Sequence, residues 1–345
     1  MTTPPPELAE QQARLEAFVS AQARGKAKVL AVRPLAGGAS REMFAVDVAV
    51  EGGPEPGTHA LVLRRDLGGR IYALSLERAG EYEVIARAHA AGVKVPRVRW
   101  LCTDPAVLGA PFFFQDRLEG ETIGRRIVKE AALADARAAL PEQMAVELAK
   151  IHALDVTGLD FLPRPPPNTS AAVNDVTYLF AELDKAEDPH PALELVLRWL
   201  ARSAPQATET TFVHGDFRIG NVMVGPDGLR GVLDWEFARL GDPIEDLAWP
   251  LVRSWRFGVD ALEMGGVGER RPYLEAYARA SGRRVDPLHV RYWEVMGTVK
   301  WAVACIAQAR RHMSGEARSV ELASLGRKAA EMELDALDLI EKGAA

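Results

Sequence analysis

Apolar and polar positions along the chain follow two different periods, and the changes between them divide it. From residue 8 to 24 apolar side chains recur at helical spacing and the run stops at Gly25, which predicts an opening amphipathic helix. The period then shortens to two. Phe44, Val46, Val48 and Val50 alternate with other residues, as do Leu61 and Leu63, and the turn-rich stretch 52–57 lies between the runs. That pattern predicts a β-hairpin with a long loop. Helical spacing returns over 74–91, closed by Gly92 and Pro96, and a short strand pair follows at 98–101 and 112–115. Beyond Gly120 the pattern reads as helices at 141–154, 173–184 and 191–203, followed by a strand-rich segment at 211–233. Near the C-terminus Tyr292, Val295, Met296, Val299, Val303 and Ile306 share one helix face, and Leu322, Leu325, Ala329, Met332 and Ile340 another. Such stripes are core. The order is a strand-rich first third, a short joint and a helix-rich remainder.

Composition narrows the class. The 345 residues carry 42 basic and 48 acidic side chains, a formal charge of −6, which argues against a nucleic-acid binder. The length is enough for two cores. Two cysteines, Cys102 and Cys305, make neither a disulfide framework nor a thiolate metal site, so a reducing, cytoplasmic setting is expected. The proline-rich start has no signal-peptide grammar, and no apolar run is long enough to span a bilayer, so no membrane partner is expected.

The chemistry concentrates between Phe212 and Glu236. An apolar strand leads into His214-Gly-Asp216, a polar loop reaches Asn221, and two short strands joined by Pro226-Asp227-Gly228 end at Asp234. The hairpin reading brings Asn221 and Asp234 to one end, with Asp216 on the preceding loop. Two carboxylates and an amide oxygen are hard donors of the type magnesium takes alongside phosphate oxygens and water. That set suits phosphoryl transfer, in which a carboxylate receives the acceptor's proton while Asn and Asp hold metal. Each residue alone is explained as well by a turn or helix cap. The joint spacing is the specific signal.

These two segments, His-Gly-Asp-Phe-Arg-Ile-Gly-Asn and Val-Leu-Asp-Trp-Glu-Phe-Ala-Arg-Leu-Gly-Asp-Pro-Ile-Glu-Asp-Leu-Ala, resemble the catalytic and metal-binding segments of the aminoglycoside phosphotransferase family. Its members are small-molecule kinases of protein-kinase-like fold. The resemblance runs from about Val32 to the C-terminal helices. It implies an α+β, bilobal fold: an antiparallel-sheet nucleotide lobe over 1–114, a hinge at 115–120 and a mainly helical lobe over 121–345. It also implies Asp216 as catalytic base, Asn221 and Asp234 as Mg2+ ligands, His214 as a loop organiser, and ATP or GTP as phosphoryl donor. Asp242 and Asp246 match the family too, and are read as N-cap and loop brace.

The nucleotide half is less marked. Gly37, Gly38 and Ser40 sit in a loop between strand-like runs, where backbone N–H groups could approach phosphates. On the next strand Arg64 occupies the place of the family's phosphate-pairing Lys, a departure, because a guanidinium binds phosphate differently from an ammonium. Strand alternation points Arg64 inward with Val62 and leaves Arg65 for solvent. Glu81 resembles the family's helix glutamate that pairs with this cation, with Glu83 a second candidate about 200° away. Backbone groups near Asp116–Leu118 would meet the base.

The acceptor is less legible. Residues 251–345 carry 15 basic and 13 acidic side chains, a balance that disfavours a polycation and permits an anionic partner. The run Tyr292–Arg310 resembles the branch that includes kinase-like domains fused to acyl-CoA dehydrogenases, which implies a hydroxyacyl or acyl-CoA acceptor. Two rivals stand beside a small-molecule kinase acting as monomer or homodimer. One is a catalytically silent nucleotide-binding scaffold, supported by Arg64. The other is a metal-dependent phosphohydrolase.

Overall fold

The computed structural model describes residues 6–35, 42–65, 75–186, 188–205 and 209–343. Gly37, Gly38 and Ser40 lie outside the described residues. The chain divides into two compact units, with Met1–Gly120, Asp160–Leu162 and Arg230–Ala238 in the first and Glu121–Leu159, Pro163–Leu229 and Arg239–Ala345 in the second.

In the first unit, helix α1 (Pro6–Ala23) precedes strands β1 (Lys26–Leu35), β2 (Glu42–Glu51) and β3 (Gly57–Arg65). Helix α2 (Arg78–Ala90), strand β4 (Val98–Cys102), the single turn α3 (Pro105–Leu108) and strand β5 (Phe112–Asp116) follow. The sheet runs β1-β2-β3-β5-β4, and every neighbouring pair is antiparallel. Alternation gives it two distinct faces. Leu61, Leu63, Phe112 and Phe114 join Val46 and Val48 in a core closed by Leu15 and Val19 of α1. Val62, Arg64 and Phe113 have the opposite parity, and Tyr82 of α2 meets the Phe113 ring edge-on at 5.9 Å.

That parity corrects the expectation for Arg65. It is not solvated: only 2% exposed, it lies on the α1 side, where its Nε donates to Glu42 at 3.0 Å and its Nη1 to the Leu108 carbonyl at 2.9 Å. A buried guanidinium is tolerated there because these acceptors and the Phe44 ring, 5.8 Å away, surround it.

The second unit is mainly helical: α4 (Gly124–Lys129), α5 (Ala134–His152), α6 (Ala171–Leu183) and α7 (Pro191–Arg202) precede a strand-rich interruption. Strand β6 (Thr211–Val213) pairs with β9 (Arg239–Gly241), and β7 (Val222–Gly225) is followed by β8 (Gly228–Val232), whose residues from Arg230 onward belong to the first unit. Helices α8 (Pro243–Ala248), α9 (Arg270–Ser281), α10 (Pro287–Met313), α11 (Val320–Leu325) and α12 (Lys328–Gly343) complete the chain. Pro141 does not open its helix as its residue type suggests. It lies inside α5, which starts seven residues earlier in the alanine-rich run. Helix α10 begins as its sequence dictates, with the Asp286 carboxylate accepting from the Leu288 N–H at 2.9 Å and Pro287 in the first turn. Val295, Met296, Val299 and Val303 of α10 are buried.

Candidate active site

Arg64 is 5% exposed on β3, and its Nη2 lies 3.0 Å from Glu81 Oε1 and 2.9 Å from Asp234 Oδ1. Burial alone would disfavour its charge, but Glu81 and Asp234 more than offset this and hold the guanidinium well above its usual range. Glu81 is fully buried and also pairs with Arg78, one helical turn earlier on α2. Both arginines lie near the Phe113 ring, at 6.0 and 5.9 Å. Glu83, the other candidate, pairs instead with Arg87 on the outside of the helix.

Asp234 is 44% exposed in its side chain and holds a left-handed backbone, φ +64°. A non-glycine residue there is strained by about 1 kcal/mol or more, a feature that gathers at functional positions. Buried Trp235 follows it, and its indole donates to the Val232 carbonyl at 3.2 Å, anchoring the turn from beneath.

At Asp116–Leu118 the backbone is partly spent. The Asp116 N–H donates to the Arg97 carbonyl at 2.8 Å and the Arg117 N–H to the Ala60 carbonyl at 2.9 Å. Among the described residues the Leu118 N–H has no such acceptor. The Leu118 side chain packs on Gly231, where an added Cβ would sit 2.5 Å from Leu118 Cδ1.

In the second unit the loop after β6 is tied down by Asp246 of α8. Its Oδ2 accepts from the His214 N–H at 2.5 Å and its Oδ1 from the Gly215 N–H at 2.8 Å, while His152 Nε2 lies 3.4 Å away. Burial would raise the Asp246 carboxyl, but His152, His214 and these N–H groups hold it below its usual range. Asp242 caps α8, accepting from the Ile244 N–H at 2.9 Å. His214, itself fully buried, turns its Nδ1 to the Asp216 N–H at 3.2 Å and stacks edge-on with Phe217.

This bracing presents Asp216. Its Oδ1 accepts from Trp249 Nε1 at 2.7 Å and Arg218 Nε at 3.0 Å, and its Oδ2 accepts from Asn221 Nδ2 at 2.5 Å. With its amide nitrogen directed to Asp216, Asn221 keeps its oxygen as the acceptor end. Arg218 stacks over the Trp255 ring at 4.3 Å, and Trp249, Trp255 and Trp301 pack in series. Gly297 of α10 makes room for Trp249, since an added Cβ would lie 2.9 Å from Trp249 Cε3.

Among the described residues no three His, Cys, Asp or Glu side chains gather as a metal cluster. A divalent ion here would rely on the Asn221 oxygen and on phosphate and water oxygens as well as carboxylate, which is how magnesium is commonly held. The donor types fit.

Three contributors escape the sequence pattern. Arg78 is marked only by its three-residue spacing from Glu81, and Arg218 only by its nearness to Asp216. Trp249, 33 residues from Asp216, leaves no local signal.

The profile described as "Phosphotransferase enzyme family" (APH) matches residues 31–292. The chain belongs to that family. Mouse "Acyl-CoA dehydrogenase family member 10" is 29% identical over 291 residues, which is 77% of this chain and 26% of that protein. Chicken "Acyl-CoA dehydrogenase family member 11" is 30% identical over 252 residues, 70% of this chain and 30% of that protein. The phosphotransferase chain thus spans about a quarter to a third of the length of these relatives. Among solved structures, a Ralstonia eutropha protein assigned to the aminoglycoside phosphotransferases is similar with a TM-score of 0.77 at 23% identity, covering 96% of this chain and 98% of that one. The ternary complex of an aminoglycoside phosphotransferase APH(4)-Ia mutant with ADP and hygromycin B has a TM-score of 0.62 at 15% identity, covering 96% and 99%. The fold is the α+β, protein-kinase-like fold of these phosphotransferases. Among the described residues no helix is long and apolar enough to cross a membrane.

Proposed function

We propose that this phosphotransferase is a small-molecule kinase that moves the γ-phosphoryl group of ATP or GTP to a hydroxyl, with Asp216 as catalytic base. One observation carries the reading: the Asp216 carboxylate is fixed by three side-chain donors, from Trp249, Arg218 and Asn221, on a loop held by buried Asp246. Oδ1 is occupied twice and Oδ2 once, which makes Oδ2 the atom to receive the acceptor's proton. A carboxylate so held attacks nothing itself. It orients the hydroxyl and takes its proton as the phosphoryl group transfers and the nucleoside diphosphate departs.

Asn221 and Asp234 are each proposed as magnesium ligands. The ion, when bound, neutralises charge on the phosphates. Arg64 is proposed to take phosphate oxygens. Glu81 fixes one side of its guanidinium, as a helix glutamate does for the cation of a kinase. The Leu118 N–H is proposed to meet the nucleobase, and Gly37, Gly38 and Ser40 to cover the phosphates. The intact Asp216–Asn221 pair and the engaged Arg64–Glu81 pair speak for catalysis rather than a silent scaffold. The proposed setting is the cytoplasm.

The acceptor is proposed to be a hydroxylated acyl compound, free or as its CoA thioester. What supports this is the matching relatives, which carry the name acyl-CoA dehydrogenase over a longer chain. A screen of hydroxyacyl-CoAs, hydroxy acids and aminoglycosides for Mg2+-dependent ATP consumption tests it. Consumption stimulated by a hydroxyacyl compound is expected; stimulation by aminoglycosides alone would overturn the acceptor assignment.

A further inference from the structure

A cavity of about 650 Å³ opens in the helical unit between the turn Arg253–Arg256 and helices α9, α10 and α12. Its wall carries Arg253, Arg256, Arg270, Arg291 and Lys342, with carboxylates between them. Each acid is already engaged. Arg253 holds Asp260 and Asp335, both at 2.8 Å. Arg270 holds Glu294 at 2.6 Å and Glu263 at 3.3 Å, and Lys342 holds Asp338 at 3.2 Å.

Two arginines are left with little. Arg256 reaches Glu294 only at 3.5 Å, is otherwise held by backbone carbonyls, and keeps a buried Nε–H with no acceptor among the described residues. Burial pushes its guanidinium below the usual range, whereas the better-paired Arg253 and Arg270 move upward. Among the described residues Arg291 donates only to the Leu339 carbonyl, at 3.4 Å. The wall's five cations and five carboxylates balance in charge, but Arg256 and Arg291 are the cations that no carboxylate meets closely. A guanidinium that is sequestered and lacks a close carboxylate is costly unless an anion completes it.

We propose that this cavity is a phosphate-binding site, in which Arg256 and Arg291 together take a phosphate ester or diphosphate group. Planar guanidinium forks suit tetrahedral oxyanions, and the volume accommodates a diphosphate. The wall also touches the candidate catalytic loop's supports. Trp255, on the Arg253–Arg256 turn, carries the Arg218 guanidinium that binds Asp216. The neighbouring loop packs on Ile219, whose Cγ1 would lie 2.4 Å from a Cβ at Gly265. The phosphate belongs either to a carrier such as coenzyme A or to a free anion. The inference does not depend on the kinase reading.

Calorimetric titration of the full chain with inorganic pyrophosphate and, separately, coenzyme A tests it. Saturable binding is expected, weakened about tenfold in Arg291→Gln, which removes one charge-assisted contact from a partly exposed site. Asp338→Asn, at the rim, should strengthen binding by removing a negative charge. Arg256→Gln should weaken it as well, but Arg291→Gln carries the test should that buried variant misfold. Coenzyme A binding much more tightly than pyrophosphate, with the difference lost in Arg291→Gln, places the phosphate on a carrier; equal affinities indicate a free anion. Absence of binding by both probes, or binding unchanged in Arg291→Gln, overturns the proposal.

Discussion

The indole N–H of Trp249 donates to Asp216 Oδ1 at 2.7 Å, so an aromatic side chain from the end of α8 sets the direction of the loop carboxylate. Trp249 is in turn fixed by the Trp255 ring at 5.3 Å and by the close approach of α10 at Gly297. Trp249→Phe keeps the packing and removes the donor. Turnover should fall about tenfold with nucleotide affinity unchanged, since one hydrogen bond to a charged group is lost. Steady-state kinetics with ATP as varied substrate checks this.

Arg64 joins Glu81 and Asp234. Arg64→Met leaves two acids without their shared cation. Because Glu81 keeps Arg78 and Asp234 is half-exposed, it should cost about 1.5–3 kcal/mol of stability, read by urea denaturation, and abolish Mg–ATP binding in calorimetry. Arg64→Lys keeps the charge with a shorter, single donor group and should retain weakened binding. Equal binding by the Met variant would remove Arg64 from the phosphate site.

Asp234→Ala is expected to lose the magnesium-dependent part of nucleotide affinity. Titration of ATP with and without Mg2+ measures it directly; a variant that still responds to magnesium as wild type does would exclude Asp234 as a ligand.

Asp175 and Glu245 share the Arg239 guanidinium, Asp175 at 2.8 and 2.5 Å. Burial pushes Glu245 up to about 7, while Arg239 outweighs burial at Asp175 and draws it down. A carboxyl whose folded value is raised contributes stability at low pH that is lost as pH rises from about 4.5 through 7. Thermal melts should show that decline, and Glu245→Gln should flatten it. The opposite sign holds for Asp246, whose lowered value gives stability at neutral pH that is lost on acidification.

Much of this was written in local pattern. The alternation through Val46 and Val48 marked the strands, and parity turned Arg64 inward with Val62, where it is buried. Parity also placed Arg65 on the other face, but did not reveal that Glu42 and the Leu108 carbonyl wait for it there. The expectation of solvent failed because both faces of β3 are covered at that end. The spacing of His214, Asp216, Asn221 and Asp234 marked the candidate segment by itself, and Glu81 was separable from Glu83 by helix geometry, the structure pairing Glu81 with Arg64 and Glu83 with Arg87. Trp249 and Arg78 were invisible for a physical reason: their roles come from tertiary approach, and neither residue type is unusual where it stands.

The most direct measurement is transfer of labelled γ-phosphate from ATP to the acceptor that the screen identifies, comparing wild type with Asp216→Asn. The amide preserves shape and keeps one oxygen for Trp249 and Arg218, but it gives up the bond from Asn221 and cannot take a proton. Transfer should drop by about 10²–10⁴-fold with Mg–ATP affinity kept. Transfer at the wild-type rate by Asp216→Asn would contradict the assignment of Asp216 as base.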